Sequence, residues 1–354
     1  MIKHDLILAL IALIICLILV PFVGKLAIKI GAVDKPNARK VHTTLMPRMG
    51  GLAIYLSFVA VVLISQPMNK ELIGLILGAT LLIAVGIWDD RKDIPAKVKL
   101  LGQIVAACIP VAFGVRVEFM SNPLDGDPLH LAIFSIPVTV IWIVGIINAV
   151  NLIDGLDGLA AGTSIIAAIT MAIVGYSSGQ YTMMALALIS AGAALGFLRY
   201  NFHPAKIFMG DTGSMFLGYI LSVLAVMGVA KSVTFISLVT PILVLGIPIF
   251  DTFFAIIRRS IKHQPIFKPD KEHLHHCLLN MGLSHRNTVL VIYGINIVLA
   301  ASGLLISYVT TTQAMVLLVI ISTAVLVGAR KLGIIGFKTP AVNNKNIPDE
   351  TNKK

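Results

Sequence analysis

Charge, cysteine and the motifs of soluble enzymes are all scarce in this sequence, and each shortage removes a class of protein. Asp, Glu, Lys and Arg make up only 13% of the 354 residues, too little for a water-soluble surface of that length. The three cysteines, Cys16, Cys108 and Cys277, lie far apart, two of them inside apolar runs. That excludes a disulfide framework and a CxxC metal pair. No Walker A, GxGxxG or GxSxG element occurs, so soluble nucleotide hydrolases and acyl hydrolases lack support. The apolar runs show no period-2 alternation, which excludes a membrane β-barrel. No internal repeat of the kind that marks many transporters is visible.

What the chain has instead is apolar length. It is 57% hydrophobic, with a mean hydropathy of +0.92. Repeated apolar runs of about 18 residues or more predict an all-α, polytopic integral membrane protein. The first run, Leu6 to Phe22, is followed by Gly24-Lys25-Leu26-Ala27-Ile28-Lys29 and no small-x-small cleavage site. It is expected to be a transmembrane helix rather than a signal peptide. Ten further spans are expected near 50–65, 71–88, 98–114, 131–148, 158–175, 181–198, 212–230, 234–250, 289–309 and 314–329, about eleven in all. They form one transmembrane domain over 1–330, followed by a polar tail over 331–354.

Orientation follows from the basic residues. With the N-terminus outside, the inner segments are 24–49, 89–99, 149–157, 199–211, 251–288 and the tail, and they hold 24 of the 28 Lys and Arg residues. This asymmetry predicts the N-terminus outside and the C-terminus in the cytoplasm. The net charge of +11 is then the signature of inner loops, and no nucleic-acid partner is expected. Asp89, Asp90, Asp93, Asp154, Asp157, Asp211, Asp251, Asp270 and Glu272 fall on the same inner side, as do seven of nine histidines. Transporters tend to place such groups near the bilayer midplane. Here they gather at one interface, where an enzyme would join a cytosolic molecule to a membrane-resident one.

The densest stretch is Asn148-Ala149-Val150-Asn151-Leu152-Ile153-Asp154-Gly155-Leu156-Asp157-Gly158. Its polar side chains recur every third residue, so a helix would stack two amides and two carboxylates on one face. No Lys or Arg lies between Val117 and Phe197 to neutralise them. A divalent cation carrying phosphate oxygens would balance such acids; a solvated loop with helix caps is the bland alternative. Asp89-Asp90 closes the third span, where adjacent carboxylates oppose the helix dipole and each other. A proton acceptor or metal-facing acid would explain the pair, and so would simple neutralisation by Arg91 and Lys92.

Asp211, in Phe208-Met209-Gly210-Asp211, opens the eighth span. It is expected either to cap the helix or to hold a cation at a phosphate site. In Lys271-Glu272-His273-Leu274-His275-His276-Cys277, a helix would put His273 and His276 on one face and His275 elsewhere. Cys277 is too close to His276 for a zinc pair, so hydrogen bonds to phosphate are expected of the histidines. Arg48, before Gly50-Gly51, is placed to grip a phosphate.

The Asp89-Asp90 pair, the Asn148–Gly158 run, Phe208-Met209-Gly210-Asp211 and the His-Leu-His-His loop together resemble the polyprenyl-phosphate N-acetylhexosamine-1-phosphate transferases. The motifs match in order and in placement on successive inner loops, over nearly the whole chain. Arg39-Lys40-Val41-His42, Asn201-Phe202-His203-Pro204-Ala205-Lys206 and Pro269-Asp270-Lys271-Glu272-His273-Leu274-His275-His276 are similar to the branch that starts wall teichoic acid. The enterobacterial-antigen branch is close to it. The muramoyl-pentapeptide branch typically has consecutive histidines where Leu274 intervenes here.

The resemblance implies a multi-pass enzyme of the bacterial cytoplasmic membrane with its site on the cytoplasmic face. Its substrates would be UDP-N-acetylglucosamine and undecaprenyl phosphate, and its products undecaprenyl-diphosphate-N-acetylglucosamine and UMP. It also implies Mg2+ (Mn2+ being an acceptable substitute) on Asp211 and Asn151, with Asp89 and Asp90 deprotonating or orienting the lipid phosphate. Asp154 and Asp157 would orient the nucleotide, and His273, His275 and His276 would bind diphosphate or sugar. Lys97, Lys99, Arg48 and His42 would meet the lipid phosphate. A homodimer is left open. The competing classes are a transporter or flippase with a metal-dependent gate, which would bury ionisable groups deep in the spans, and a membrane scaffold, which would leave the clustered acids unexplained.

Overall fold

The computed structural model describes residues 2–34, 45–121, 128–229, 235–261 and 272–334. His42, Asp270 and the polar tail from residue 335 lie outside the described residues. The chain is an all-α polytopic membrane protein. Its helices are α1 (Ile2–Ile30), α2 (Gly50–Ser65), α3 (Lys70–Lys92), α4 (Ala96–Ala112), α5 (Ser135–Ile153), α6 (Leu159–Ser177) and α7 (Tyr181–Asn201). They continue with α8 (Gly210–Val229), α9 (Phe235–Val244), α10 (Gly246–Ile261), α11 (Leu274–Asn280), α12 (His285–Ile306) and α13 (Thr311–Lys331). A 3-10 turn (Ala132–Phe134) and two small antiparallel ribbons complete the described elements, the ribbons being β1 (Val33–Asp34) with β2 (Met46–Pro47), and β3 (Phe119–Ser121) with β4 (Pro128–His130).

Helices dominate because hydrocarbon offers backbone groups no partner outside the chain itself. Their starts are set where a polar side chain can take the first free N–H groups. Asn69 accepts from Leu72 N at 2.8 Å, and Thr310 and Gln313 form a capping box. Of the eleven expected spans, eight are helices long and apolar enough to cross a membrane: α1, α3, α5, α6, α7, α8, α12 and α13. The helices α2 and α4 are shorter, with 16 and 17 residues, roughly 25 Å against a hydrocarbon core of about 30 Å.

The expected ninth span, 234–250, is broken. It ends as α9 at Val244 and restarts as α10 at Gly246. Pro248 has no N–H to give Val244, and Pro241 lies inside α9, so the ladder cannot run through. The restarted helix reaches Ile261, carrying Asp251 and Arg258. The expected start of the tail is also built in: Arg258 Nη1 donates to Ile334 O at 3.0 Å, and Leu332 and Ile334 pack in an apolar cluster with Phe254 and Val289.

The helix at the centre is α8, almost wholly buried and packed against α2, α3, α5 and α6. Small residues let the backbones close on its N-terminal turn. A Cβ on Gly51 would lie 2.0 Å from Gly213 Cα, and one on Gly86 would lie 2.5 Å from Thr212 Cα. Close small-residue crossings of this kind are how apolar helices associate where burial alone supplies no drive. The segment before α2 is stitched to the one before α8: Gly50 N donates to Phe208 O, Gly51 N to Met209 O and Phe208 N to Pro47 O. One end of the bundle therefore gathers the C-termini of α3, α5 and α7 with the N-termini of α2, α6 and α8.

Candidate active site

At that end lies a cavity of about 290 Å3, walled by Asp34, Arg48, Asp90, Asn151, Asp154, Asp157, Asn201, Asp211 and the 208–210 backbone. Residues from five separated stretches meet there. The first question is which carboxylates are free to act and which are spent on the fold.

Asp90 is spent. Its Oδ1 accepts from Asp211 N at 2.8 Å, and its Oδ2 accepts from Thr212 N at 3.1 Å and Thr212 Oγ1 at 2.5 Å. A carboxylate from α3 thus caps α8 and satisfies N–H groups that a helix start leaves open. Gly210, at φ +71°, makes the turn into α8, and a Cβ there would strike Asp90 Oδ2 at 2.5 Å. The alternative in which Asp211 caps its own helix is corrected: Asp211 sits in the first turn, and Asp90 takes the free donors. The helix end is also closed to a bound anion, because its donors already face a carboxylate.

Asp89 is held as well. Its Oδ1 accepts from Ile94 N at 2.9 Å and its Oδ2 pairs with Lys99 Nζ at 3.0 Å. Lys99 Nζ also pairs with Asp211 Oδ1 at 2.8 Å and donates to Asn151 Oδ1 at 3.3 Å. Asn151 Nδ2 donates to Asp211 Oδ1 and, at 2.8 Å, to Ser214 Oγ. Lys99, expected to wait for the lipid phosphate, is instead a part-buried ammonium between two acids. Lys97 is exposed and is not brought to the cavity.

The run from Asn148 does not stack as one helical face. The helix α5 stops at Ile153, and residues 154–158 form turns. Asn148 Nδ2 donates to Gln103 Oε1 and Val144 O, a packing role against α4. Asn151 is the last member on the helix. Asp157 stays in the cavity wall while its Oδ2 accepts from Ala205 N at 3.1 Å and meets His203 Nδ1 at 3.0 Å. Asn201 ties the same turn down, accepting from Gly158 N and donating to Ile207 O, both at 3.0 Å.

Asp154 differs from its neighbours. Its carboxyl has no hydrogen bond or ion pair among the described residues, and it faces the cavity half-buried. Burial, then the negative charges of Asp211, Asp90 and Asp157, push its pKa up to about 8, with Arg48 pulling weakly the other way. Five carboxylates and two amides line a space whose walls, among the described residues, include Arg48 as the one Lys or Arg. Hard oxygen donors with uncompensated negative charge suit a divalent cation such as Mg2+, so the donor set fits that ion.

Arg48 is placed by the β1–β2 ribbon. Its Nη1 lies 3.5 Å from Asp93 Oδ1 and its Nη2 lies 3.9 Å from Asp34 Oδ1. Both pairs are loose, which leaves the guanidinium able to turn toward an anion. Asp34 was not among the expected site residues; the signal for it was an acid just past the first span, beside the basic loop.

The histidine loop also departs from expectation. His273 precedes α11 in extended backbone (φ −65°, ψ 155°), so it shares no helical face with His276. Its Nδ1 meets Asp251 Oδ2 at 2.9 Å, while Leu274 N donates to Asp251 Oδ1 at 2.9 Å. The ring of His275 lies parallel to that of His273, with centroids 5.9 Å apart, and 4.2 Å from that of His276. A Cβ on Gly155 would meet His275 Nε2 at 2.6 Å, so this imidazole abuts the cavity wall. Burial, then His276, lowers the His275 pKa to about 4, which keeps the ring neutral. His285 was missed outright: its Nε2 accepts from Asp157 N at 3.0 Å and its ring stacks on His203. Ligand atoms of Asp157, His203 and His285 all lie within 4.8 Å of one another. Each is already hydrogen-bonded, so the group acts as a clamp joining the 154–158 turn to α12.

Residues 72–229, which carry Asp90, Asn151, Asp154, Asp157 and Asp211, match the model of glycosyl transferase family 4. The protein named probable undecaprenyl-phosphate N-acetylglucosaminyl 1-phosphate transferase of Bacillus subtilis (strain 168) is 47% identical over 329 residues, covering 93% of this chain and 92% of its own. This chain belongs to glycosyl transferase family 4. A decaprenyl-phosphate N-acetylglucosaminephosphotransferase of Mycolicibacterium smegmatis is 36% identical over 306 residues, 77% of this chain and 74% of its own. An undecaprenyl-phosphate alpha-N-acetylglucosaminyl 1-phosphate transferase of Yersinia pestis is 29% identical over 273 residues, 76% and 75%. As a member of the family the chain is a phosphoglycosyl transferase, and the cavity is its candidate active site.

Proposed function

We propose that this phosphoglycosyl transferase moves N-acetylglucosamine 1-phosphate from UDP-N-acetylglucosamine to undecaprenyl phosphate, giving undecaprenyl-diphosphate-N-acetylglucosamine and UMP. The observation that carries the reading is the acid-walled cavity with its one orphaned carboxylate, Asp154, at the end of a membrane bundle. The concentration of Lys and Arg in the loops at that end supports its lying on the cytoplasmic face of the membrane, where a sugar nucleotide is available.

An oxygen of the lipid phosphate attacks the sugar-proximal phosphorus in line, and the bond from that phosphorus to the bridging oxygen of UMP breaks. Little covalent work falls to the protein, so positioning and charge neutralisation dominate. Asp211 and Asn151 would hold Mg2+, with Asp154 adding negative charge to the wall of the same cavity. Bound there, the ion would neutralise the diphosphate and ease the departure of UMP. Lys99 holds the Asp211 carboxylate and presents its ammonium beside the reacting charge. Asp89 fixes Lys99, and a base role for Asp89 would require it to leave that partner; an ionised phosphate has no need of one. Arg48 turns from Asp34 and Asp93 onto a phosphate oxygen. His275, neutral and seated against Gly155, donates or accepts a hydrogen bond at the sugar or diphosphate without adding charge.

The product is proposed to feed wall teichoic acid linkage-unit synthesis, on the strength of the Arg39–His42, Asn201–Lys206 and Pro269–His276 motifs. Purified protein, undecaprenyl phosphate, Mg2+ and radiolabelled UDP-N-acetylglucosamine should yield labelled lipid and UMP. Turnover of UDP-N-acetylmuramoyl-pentapeptide instead would move the chain to the sister reaction, and turnover of neither would overturn the proposal.

A further inference from the structure

A second cavity shares no lining residue with the acid-walled one. It has a volume of about 640 Å3 and runs between α1 and the C-terminal end of α7. Its walls are of two kinds. Leu13 and Leu17 of α1 face Leu195 and Leu198 of α7, an apolar slot along two membrane helices. At one end stand Arg199 and Lys206. No carboxylate lines the cavity. Both cations are exposed, and neither has an ion-pair partner among the described residues.

The end with the cations is built rather than loose. Lys206 N donates to Tyr200 O at 2.8 Å, which folds the 202–206 segment back over the end of α7. Tyr200 Oη donates to Leu17 O at 3.2 Å and fixes that turn to α1. Farther along α1, Lys25 and Lys29 are also exposed, about 12 and 18 Å beyond Leu17 at the helical rise. Lys25 and Lys29 thus continue the exposed positive charge along α1 beyond the slot.

An apolar slot closed by two unpaired cations has the chemistry of an amphiphile with acyl chains and an anionic head. We infer that this groove is a binding site for an anionic phospholipid of the surrounding bilayer, its phosphate held by Arg199 and Lys206 and one chain laid along Leu13, Leu17, Leu195 and Leu198. A zwitterionic lipid would bring its own cation against the pair and lose most of that attraction. The site bears on catalysis through Phe202. That ring lines the groove and also lies where a Cβ on Gly158 would meet it at 3.0 Å. A seated lipid would therefore brace the segment that runs from Asn201 to Asp211.

The test is native mass spectrometry of protein released from nanodiscs of phosphatidylcholine and phosphatidylglycerol. Each cation near a headgroup is worth about fivefold in preference and the pair about thirtyfold. Wild type should retain phosphatidylglycerol over phosphatidylcholine by about that factor. Arg199→Gln and Lys206→Gln should each lose about fivefold of it, and the double variant should lose the preference. Leu195→Trp, which fills the slot and spares both charges, should lower retention of the bound lipid. Arg199→Lys should keep it, which separates charge from fold. An unchanged preference in the double variant, or no preference in wild type, overturns the inference. So does displacement of the lipid by undecaprenyl phosphate together with a raised acceptor KM in the double variant, which would make the groove the acceptor's own. Retention is read without turnover, so the result stands apart from the transferase proposal.

Discussion

Asp90 offers the sharpest separation of a structural acid from a chemical one. Its two oxygens take three hydrogen bonds from the start of α8. Asp90→Ala would leave the Asp211 and Thr212 amides buried without an acceptor, at about 1–3 kcal/mol each. Loss of a helix cap by itself costs about 0.5–2 kcal/mol, so a total near 3 kcal/mol is expected. For a chain of 354 residues that corresponds to a fall of roughly 4 °C in thermal midpoint. Asp90→Asn keeps one acceptor oxygen and should lose about half as much. Thr212→Val removes only the hydroxyl donor and should cost about 1.5–3 kcal/mol, the worth of a hydrogen bond to a charged group. Midpoints in detergent, read beside kcat, test this. Activity should fall with stability, because the capped turn also aims Asp211. If Asp90→Asn melts like wild type yet loses about a thousandfold in kcat, the acid works on substrate and the capping argument fails.

Three further outcomes follow from the site. Asp154 has a folded pKa of about 8, above that of the unfolded chain, so the folded state holds the extra proton between. Cation-free protein should lose stability as pH rises from about 5 to 8, by up to about 1.4 kcal/mol per unit, and Asp154→Asn should flatten the profile. Lys99→Met leaves Asp89 and Asp211 without their shared partner and should cost about 1–3 kcal/mol, between the worth of an exposed ion pair and the loss on breaking a buried one; a wild-type denaturation midpoint would contradict that. Gly155→Ala pushes a methyl to 2.6 Å from His275 Nε2, so the KM for sugar nucleotide should rise severalfold with little change in melting. An unchanged KM would remove His275 from the site.

The membrane class was plain from apolar length, and eight of the expected spans are present as full helices. The break at Leu245 was legible too, since Pro241, Gly246 and Pro248 stand inside the expected ninth span, but apolar composition outweighed them. Most of the residues that gather in the cavity were readable, because Asp90, Asn151, Asp154, Asp157 and Asp211 sit at or just beyond helix ends. Their division of labour was not. Asp90 and Thr212 are 122 positions apart, and no local pattern announces that one caps the helix of the other. The period of three from Asn148 to Asp157 failed for a simple reason: α5 ends before its last two members. Asp34, His203 and His285 have meaning only through partners that the fold supplies.

The central claim is that Asp211 and Asn151, in a cavity charged by Asp154, hold a divalent cation that carries the sugar-nucleotide diphosphate. Electron paramagnetic resonance of Mn2+ substituted for Mg2+, with UDP-N-acetylglucosamine present, tests it most directly. Wild type should bind one Mn2+ with phosphorus hyperfine coupling, and Asp211→Asn should lose both the ion and turnover while still folding. A bound ion without phosphorus coupling, or an Asp211→Asn protein that binds Mn2+ and turns over normally, would contradict the account.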